Sequence, residues 1–342
     1  MHETPVRTHT WDIREVSSPK LDQRVPVVAA LDVPTTPGAN RFQSVDLYLP
    51  LTDRTRDLVG SPVGPFLETV RQQAHPDTLV HIHGGAWRDP DLTGRSIEAT
   101  VAHAFRDEHS PIRAVASLNY TISPFPTHPT QPYDAATAAE RDAAREAVHP
   151  DHLRDVLQGL RFLRSLGLGE RSFVLSGHSA GACLAAQAAL LGPEAFGLDP
   201  ELTPPTPAAL YGVNGLYDLL DLVDRPGPEH EHVAEQYESL LAHAFGDRSR
   251  WAAASPSRLV PAVVSDRLER GRVPRIVVLD QSDADQLVPR NQIETMQGAL
   301  AAVPGLLVAR SHRAHGPHAM PWEDGLMLWT AILDIVRTLG AS

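Results

Sequence analysis

Gly177-His178-Ser179-Ala180-Gly181 sets a serine midway between two glycines, directly after the apolar run Phe173-Val174-Leu175 and before an alanine-rich stretch from Ala180 to Leu191. A serine hydroxyl becomes a useful nucleophile when a base can take its proton and nothing crowds its approach to a carbonyl. The Gly-x-Ser-x-Gly spacing meets the second need: on a tight strand-to-helix turn, glycines two residues to either side remove Cβ atoms that would strike neighbouring backbone. The following helix would aim its N-terminus at developing negative charge. A chance Gly/Ser turn is the competing explanation, and the strand-turn-helix placement argues against it. Cys183 reads as a small apolar residue of that helix.

Acyl transfer also needs donors for the carbonyl oxygen as it becomes anionic. His83-Gly84-Gly85-Ala86-Trp87 follows another apolar run, Leu79-Val80-His81-Ile82, where a glycine-rich loop can bring backbone N–H groups against a substrate. Gly84 and Gly85 are the expected contributors, with the N–H of Ala180 supplying the other half.

The acid and base are expected in that order after the serine. Asp280-Gln281-Ser282-Asp283-Ala284-Asp285-Gln286-Leu287-Val288-Pro289 follows the run Ile276–Leu279 and offers three carboxylates. Asp285 is preferred to Asp283 because the segment from Asp285 to Pro289 resembles the Asp-x-Leu-Val-Pro turn common in α/β-hydrolases, with Asp280 third as a strand-end residue. His312, His315 and His318 follow the last apolar run; His318, just before the terminal helical stretch, is preferred to His315 as the base.

His81 and His83 lie on one face of a strand, a spacing compatible with metal binding, yet no third ligand of obvious geometry accompanies them, so no metal and no cofactor are expected. The single cysteine excludes an internal disulfide and a thiolate zinc site. A formal charge of −12 without any Lys/Arg cluster argues against nucleic-acid or anionic-membrane partners. The N-terminus has no signal-peptide core and no stretch is apolar enough to span a membrane, so a cytoplasmic protein acting on a small molecule is expected, with a homodimer left open.

These groups need a scaffold, and short apolar runs separated by amphipathic segments predict a mostly parallel central sheet flanked by helices. Six runs read as strands. Gln43–Leu49 alternates, as a half-exposed antiparallel edge strand would. Leu79–His83, Ala114–Leu118, Phe173–Leu175, Ile276–Leu279 and Leu306–Ala309 are denser and read as buried parallel strands. Leu153, Val156, Leu157, Leu160, Leu163 and Leu166 repeat at helical spacing after the candidate cap Asp151, and the span from Leu326 to Leu339 behaves likewise. Thr52 to Asp77 and the Pro-rich Ser123 to Pro150 resist the scheme and are expected at the rim, the second with a short helix within Ala135–Val148. The reading is one domain over residues 1–342, with about 1–20 a flexible or edge segment and 123–150 an insertion.

The assembled motifs resemble the kynurenine formamidase (arylformamidase) family, fungal type, of the α/β-hydrolase superfamily. The likeness runs from Leu79 to about Leu339 and includes Asn119-Tyr120-Thr121-Ile122-Ser123-Pro124, His149-Pro150-Asp151-His152 and Gly212-Val213-Asn214-Gly215-Leu216-Tyr217-Asp218-Leu219. Hormone-sensitive-lipase-like esterases are similar in fold, but usually have glycine where Ala86 stands and Asp where His178 stands. The resemblance implies an α/β-hydrolase fold, Ser179, Asp285 and His318 as a catalytic triad, and hydrolysis of N-formyl-L-kynurenine to L-kynurenine and formate. Trp87, Tyr120 and Tyr217 are candidates to line an aromatic pocket, and Asn214 to meet the polar end of the substrate. A short-chain carboxylesterase using the same triad is the second reading. A non-catalytic interaction protein of this fold is the third, disfavoured because candidates for every triad position are present.

Overall fold

The computed structural model describes residues 9–70 and 76–340. Nine strands form one sheet in the order β1-β2-β3-β5-β4-β6-β7-β8-β9: β1 Asp12–Val16, β2 Val25–Pro34, β3 Ser44–Pro50, β4 Thr78–Ile82, β5 Ala114–Leu118, β6 Phe173–His178, β7 Ala209–Val213, β8 Ile276–Asp280 and β9 Leu307–Arg310. The pairs β1/β2, β2/β3 and β3/β5 are antiparallel; every later pair is parallel. This is the mostly parallel, helix-flanked sheet expected, and each of the six apolar runs overlaps a strand, with Gln43, His83 and Leu306 just outside.

Successive side chains of a strand go to opposite faces, and the two sides of the sheet carry separate cores. Val80, Ile82, Leu175 and Leu210 pack with the helix Asp151–Ser165, the helix Ala180–Ala186 and the helix Pro256–Glu269. Leu79, Val115, Val174 and Tyr211 pack with the helices Glu98–Arg106 and Leu326–Gly340. No helix among the described residues is long and apolar enough to cross a membrane.

Four local expectations are corrected. Ser44–Pro50 is not an edge: β2 covers it, and its polar side chains are buried because they have inner partners. Asp46 accepts the N–H of Asp32 at 2.7 Å, and Ser44 Oγ accepts from Asn119 at 3.1 Å. Burial raises the Asp46 carboxyl to about 6. The helix Asp151–Ser165 has Pro150 at its N-cap and Asp151 inside its first turn. Within Ala135–Val148 only the 3₁₀ turn Ala143–Arg145 forms. The alanine-rich helix changes to π-helical winding at Gln187–Leu191. Of the N-terminal segment, residues 1–8 lie outside the described residues, and β1 begins the sheet at Asp12.

Candidate active site

Four strand ends supply the site. Ser179 follows β6 with φ 55° and ψ −122°, a conformation that a non-glycine residue holds only when its surroundings enforce it. The glycines show how. A Cβ on Gly177 would lie 2.3 Å from the carbonyl oxygen of Gly181, and one on Gly181 would lie 2.1 Å from that of Ile82. Helix, elbow and the end of β4 therefore touch through backbone, a closeness that no side chain allows. The Ser179 N–H donates to Val213 O at 3.0 Å, and the Ala180 N–H, first in its helix, has no acceptor among the described residues.

The loop after β4 runs through three consecutive positive φ values: Gly85 at 91°, Ala86 at 50° and Trp87 at 58°. For the two non-glycine residues this costs roughly 1–2 kcal/mol each. Anchors hold it. Tyr120 donates its hydroxyl to Gly84 O at 2.8 Å, and in a trans peptide this turns the Gly85 N–H the opposite way. Trp87 is fully buried, edge-on to Phe245 at 4.8 Å, and its carbonyl accepts the Ser123 N–H at 2.8 Å. Gly85 and Ala86 line the cavity above Ser179; Gly84 lies beneath, where a Cβ would be 3.1 Å from that of Ser179. The N–H groups of Gly85 and Ala86, like that of Ala180, have no acceptor among the described residues.

His318 Nδ1 donates to Asp285 Oδ2 at 2.8 Å. A carboxylate only accepts, so Nδ1 carries the proton, and in the neutral ring Nε2 keeps its lone pair for another donor. Asp285 is buried, and its other oxygen accepts the N–H groups of Leu287 at 2.8 Å and Val288 at 2.9 Å. Those two bonds need the turn that Leu-Val-Pro makes. The other candidates are committed elsewhere: Asp283 is exposed and paired with Arg290 at 2.5 Å, Asp280 accepts from Tyr211 and two backbone N–H groups, and His315 is exposed and bonded to Arg313 O.

His178, within the elbow, donates Nε2–H to the carbonyl of His318 at 2.9 Å. Burial keeps its imidazole neutral, and it ties the serine turn to the loop carrying the base. Asn214, at φ 48°, accepts the Ser282 N–H at 3.0 Å and approaches His318 O with its amide nitrogen at 3.5 Å. It braces both loops from below.

Ser179 and His318 border a cavity of about 270 Å³. Its walls include Phe125 and Leu92, Val233, Gln236, Tyr237 and Leu240 from one helical segment, and Gln286, Leu287 and Trp322 from the segments that carry the acid and base. None of Trp87, Tyr120, Asn214 and Tyr217 reaches it. All four are at least 99% buried behind the loops they support, which corrects their assignment to the substrate. Tyr217 packs on glycine: a Cβ at Gly215 would lie 2.4 Å from its ring. Arg88, Asp89, Phe125 and Trp322 line the cavity without having been singled out in the sequence. The first two directly follow the His83–Trp87 loop, which was the available signal.

His81 and His83 hold internal bonds, to Ser176 Oγ at 2.8 Å and Gly84 O at 2.9 Å. Burial lowers them to about 3 and about 4 respectively. Among the described residues, Asp89, Asp91 and His128 cluster at metal-ligand distances. His128 Nδ1 accepts the Gln131 N–H at 3.0 Å, so Nε2 carries the proton in the neutral ring and faces the two carboxylates as a donor. That tautomer offers a cation no lone pair.

No family model matches the chain. The chain is 32% identical over 308 residues to the kynurenine formamidase-like hydrolase fscH of Fusarium equiseti, covering 88% of this chain and 91% of that relative. It is 29% identical over 256 residues to the kynurenine formamidase avaC of Aspergillus versicolor, covering 72% and 83%. Among solved structures it is similar to esterase B from Lactobacillus rhamnosis, with a TM-score of 0.62 at 17% identity over 94% of this chain and 88% of the other. That likeness shows the fold, an α/β-hydrolase fold.

Proposed function

The chain belongs to the kynurenine formamidase family of α/β-hydrolase enzymes, and from that premise we propose that it hydrolyses N-formyl-L-kynurenine to L-kynurenine and formate through Ser179, Asp285 and His318. The observation that supports this most is the convergence on one aromatic-walled cavity of Ser179, the Asp285–His318 pair and a backbone loop whose Gly85 and Ala86 N–H groups have no acceptor among the described residues. Ser179 Oγ attacks the formyl carbon while His318 Nε2 takes its proton. The oxyanion meets the N–H groups of Gly85 and Ala180, each such donor lowering the barrier by roughly 3 kcal/mol. As the C–N bond breaks, His318 returns the proton to the aryl nitrogen, because an anilide anion is a poor leaving group. Water, deprotonated by His318, then attacks the formyl ester; formate leaves and Ser179 regains its proton.

A formyl group leaves nearly the whole cavity to the aryl portion, which suits walls built from Phe125, Tyr237 and Trp322. The test is kcat/KM for N-formyl-L-kynurenine beside that for a short-chain p-nitrophenyl ester. The ester has the better leaving group, so a higher value for the formamide requires binding energy used on placing it. We expect the formamide to lead. A strong preference for the ester would make a general carboxylesterase the better reading.

A further inference from the structure

Arg88 lines the cavity next to the backbone loop, and it is 7% exposed. Its guanidinium lies over the Phe125 ring at 4.0 Å, and its one guanidinium hydrogen bond among the described residues is a long one, 3.4 Å from Nη1 to Ser239 Oγ. Nε is buried without a partner, and among the described residues no carboxylate oxygen lies within 4.0 Å of its nitrogens. Arg145 and Arg267 are buried to a similar degree and also carry a buried Nε without a partner, but each directs a terminal nitrogen at a main-chain carbonyl, which Arg88 does not. Burial lowers Arg88 to about 10, which leaves it charged at neutral pH. A charged, desolvated fork with an incomplete set of acceptors is costly to the free protein unless something that enters the cavity completes the set.

We infer that Arg88 is the receptor for a carboxylate on the leaving-group side of the substrate, and so selects aryl substrates that end in an acid over their neutral counterparts. This rests on the proposed hydrolysis for the placement of the substrate above Ser179. A guanidinium matches a carboxylate with two parallel N–H···O bonds, and the largely apolar lining strengthens both. Asp89 borders the same cavity, with Oδ1 accepting the Asp91 N–H at 2.9 Å. A carboxylate at that wall suits an ammonium group beside the substrate carboxylate, so an α-amino acid end fits better than a bare anion.

Isothermal titration tests this directly, with wild type, Arg88→Met and Arg88→Lys each titrated with L-kynurenine and 4-phenylbutanoate, and with the primary amide of each acid. Wild type is expected to bind each acid about 30-fold more tightly than its amide, the range of a charge-assisted bidentate pair. Arg88→Met should reduce that ratio below about threefold, and Arg88→Lys should keep an intermediate ratio, since it holds the charge but not the fork. Acid and amide binding equally to wild type, which requires no variant to fold, would overturn the inference, as would an undiminished ratio in Arg88→Met. An acid preference without turnover of N-formyl-L-kynurenine would reject the proposed reaction and retain the receptor. Turnover without an acid preference would do the reverse.

Discussion

Replacing Ser179 by alanine is expected to lower kcat/KM by roughly 10³-fold or more, with the melting temperature nearly unchanged. The reason for the large kinetic effect is that no other hydroxyl stands at the elbow: Ser179 occupies the φ 55° turn, and the Ala180 N–H beside it has no acceptor among the described residues. The reason for the small structural effect is that alanine keeps the Cβ, the backbone conformation and the Ser179–Val213 backbone bond, losing only Oγ. Initial rates and a thermal melt on the same preparation check both halves. Activity within tenfold of wild type, in a sample free of contaminating esterase, would remove Ser179 from the mechanism.

Asp285→Asn should cost about 10⁴-fold in kcat, the size of the effect when the acid of such a triad becomes an amide. Asparagine can still accept the Leu287 and Val288 N–H groups with its carbonyl oxygen, so the turn survives. Its NH₂ then faces His318 Nδ1 and favours the tautomer with the proton on Nε2, which cannot take one from Ser179. Asp283→Asn is the matched control. That side chain is exposed and among the described residues pairs only with Arg290, and an exposed ion pair contributes roughly 1 kcal/mol at most to stability and nothing to the tautomer. Kinetics on the two variants should therefore differ by at least three orders of magnitude, and similar losses in both would mean that the acid has been misassigned.

The parts of the fold legible in the sequence were those where one physical signal dominated. β4, β5, β6 and β8 are buried on both faces and read as dense apolar runs, and the elbow glycines carry their reason in the backbone contacts that they permit. β2 was hidden by Pro26 and Pro34, β7 by its glycine and the proline-rich stretch before it, and β1 by the charged, exposed pattern of an edge. Without β1 and β2, Ser44–Pro50 had to look like the edge.

At the site, order along the chain was enough to find serine, acid and base in sequence, but not to say which of three neighbouring carboxylates turns inward, since that depends on the Leu287 and Val288 bonds. The aromatic residues nearest the motifs read as pocket walls. In the structure Trp87 and Tyr120 hold the backbone loop instead, because a residue at φ 58° or a hydroxyl bound to Gly84 O is directed away from the cavity. A lone arginine in a sequence ordinarily reads as solvated; what distinguishes Arg88 in the structure is burial at the cavity wall without the main-chain carbonyl acceptor that Arg145 and Arg267 have. Tyr237 sits on an amphipathic stripe with Val233 and Leu240, a pattern that core and cavity wall share.

The central claim is that Ser179 is an activated nucleophile in this cavity. Treating wild-type protein with a fluorophosphonate and locating the adduct by peptide mass spectrometry tests that claim without assuming a substrate. One adduct per chain, on Ser179, with activity lost in proportion and no adduct on Ser179→Ala, is the predicted result. An active enzyme that remains unlabelled, or one labelled elsewhere while losing activity, would contradict it.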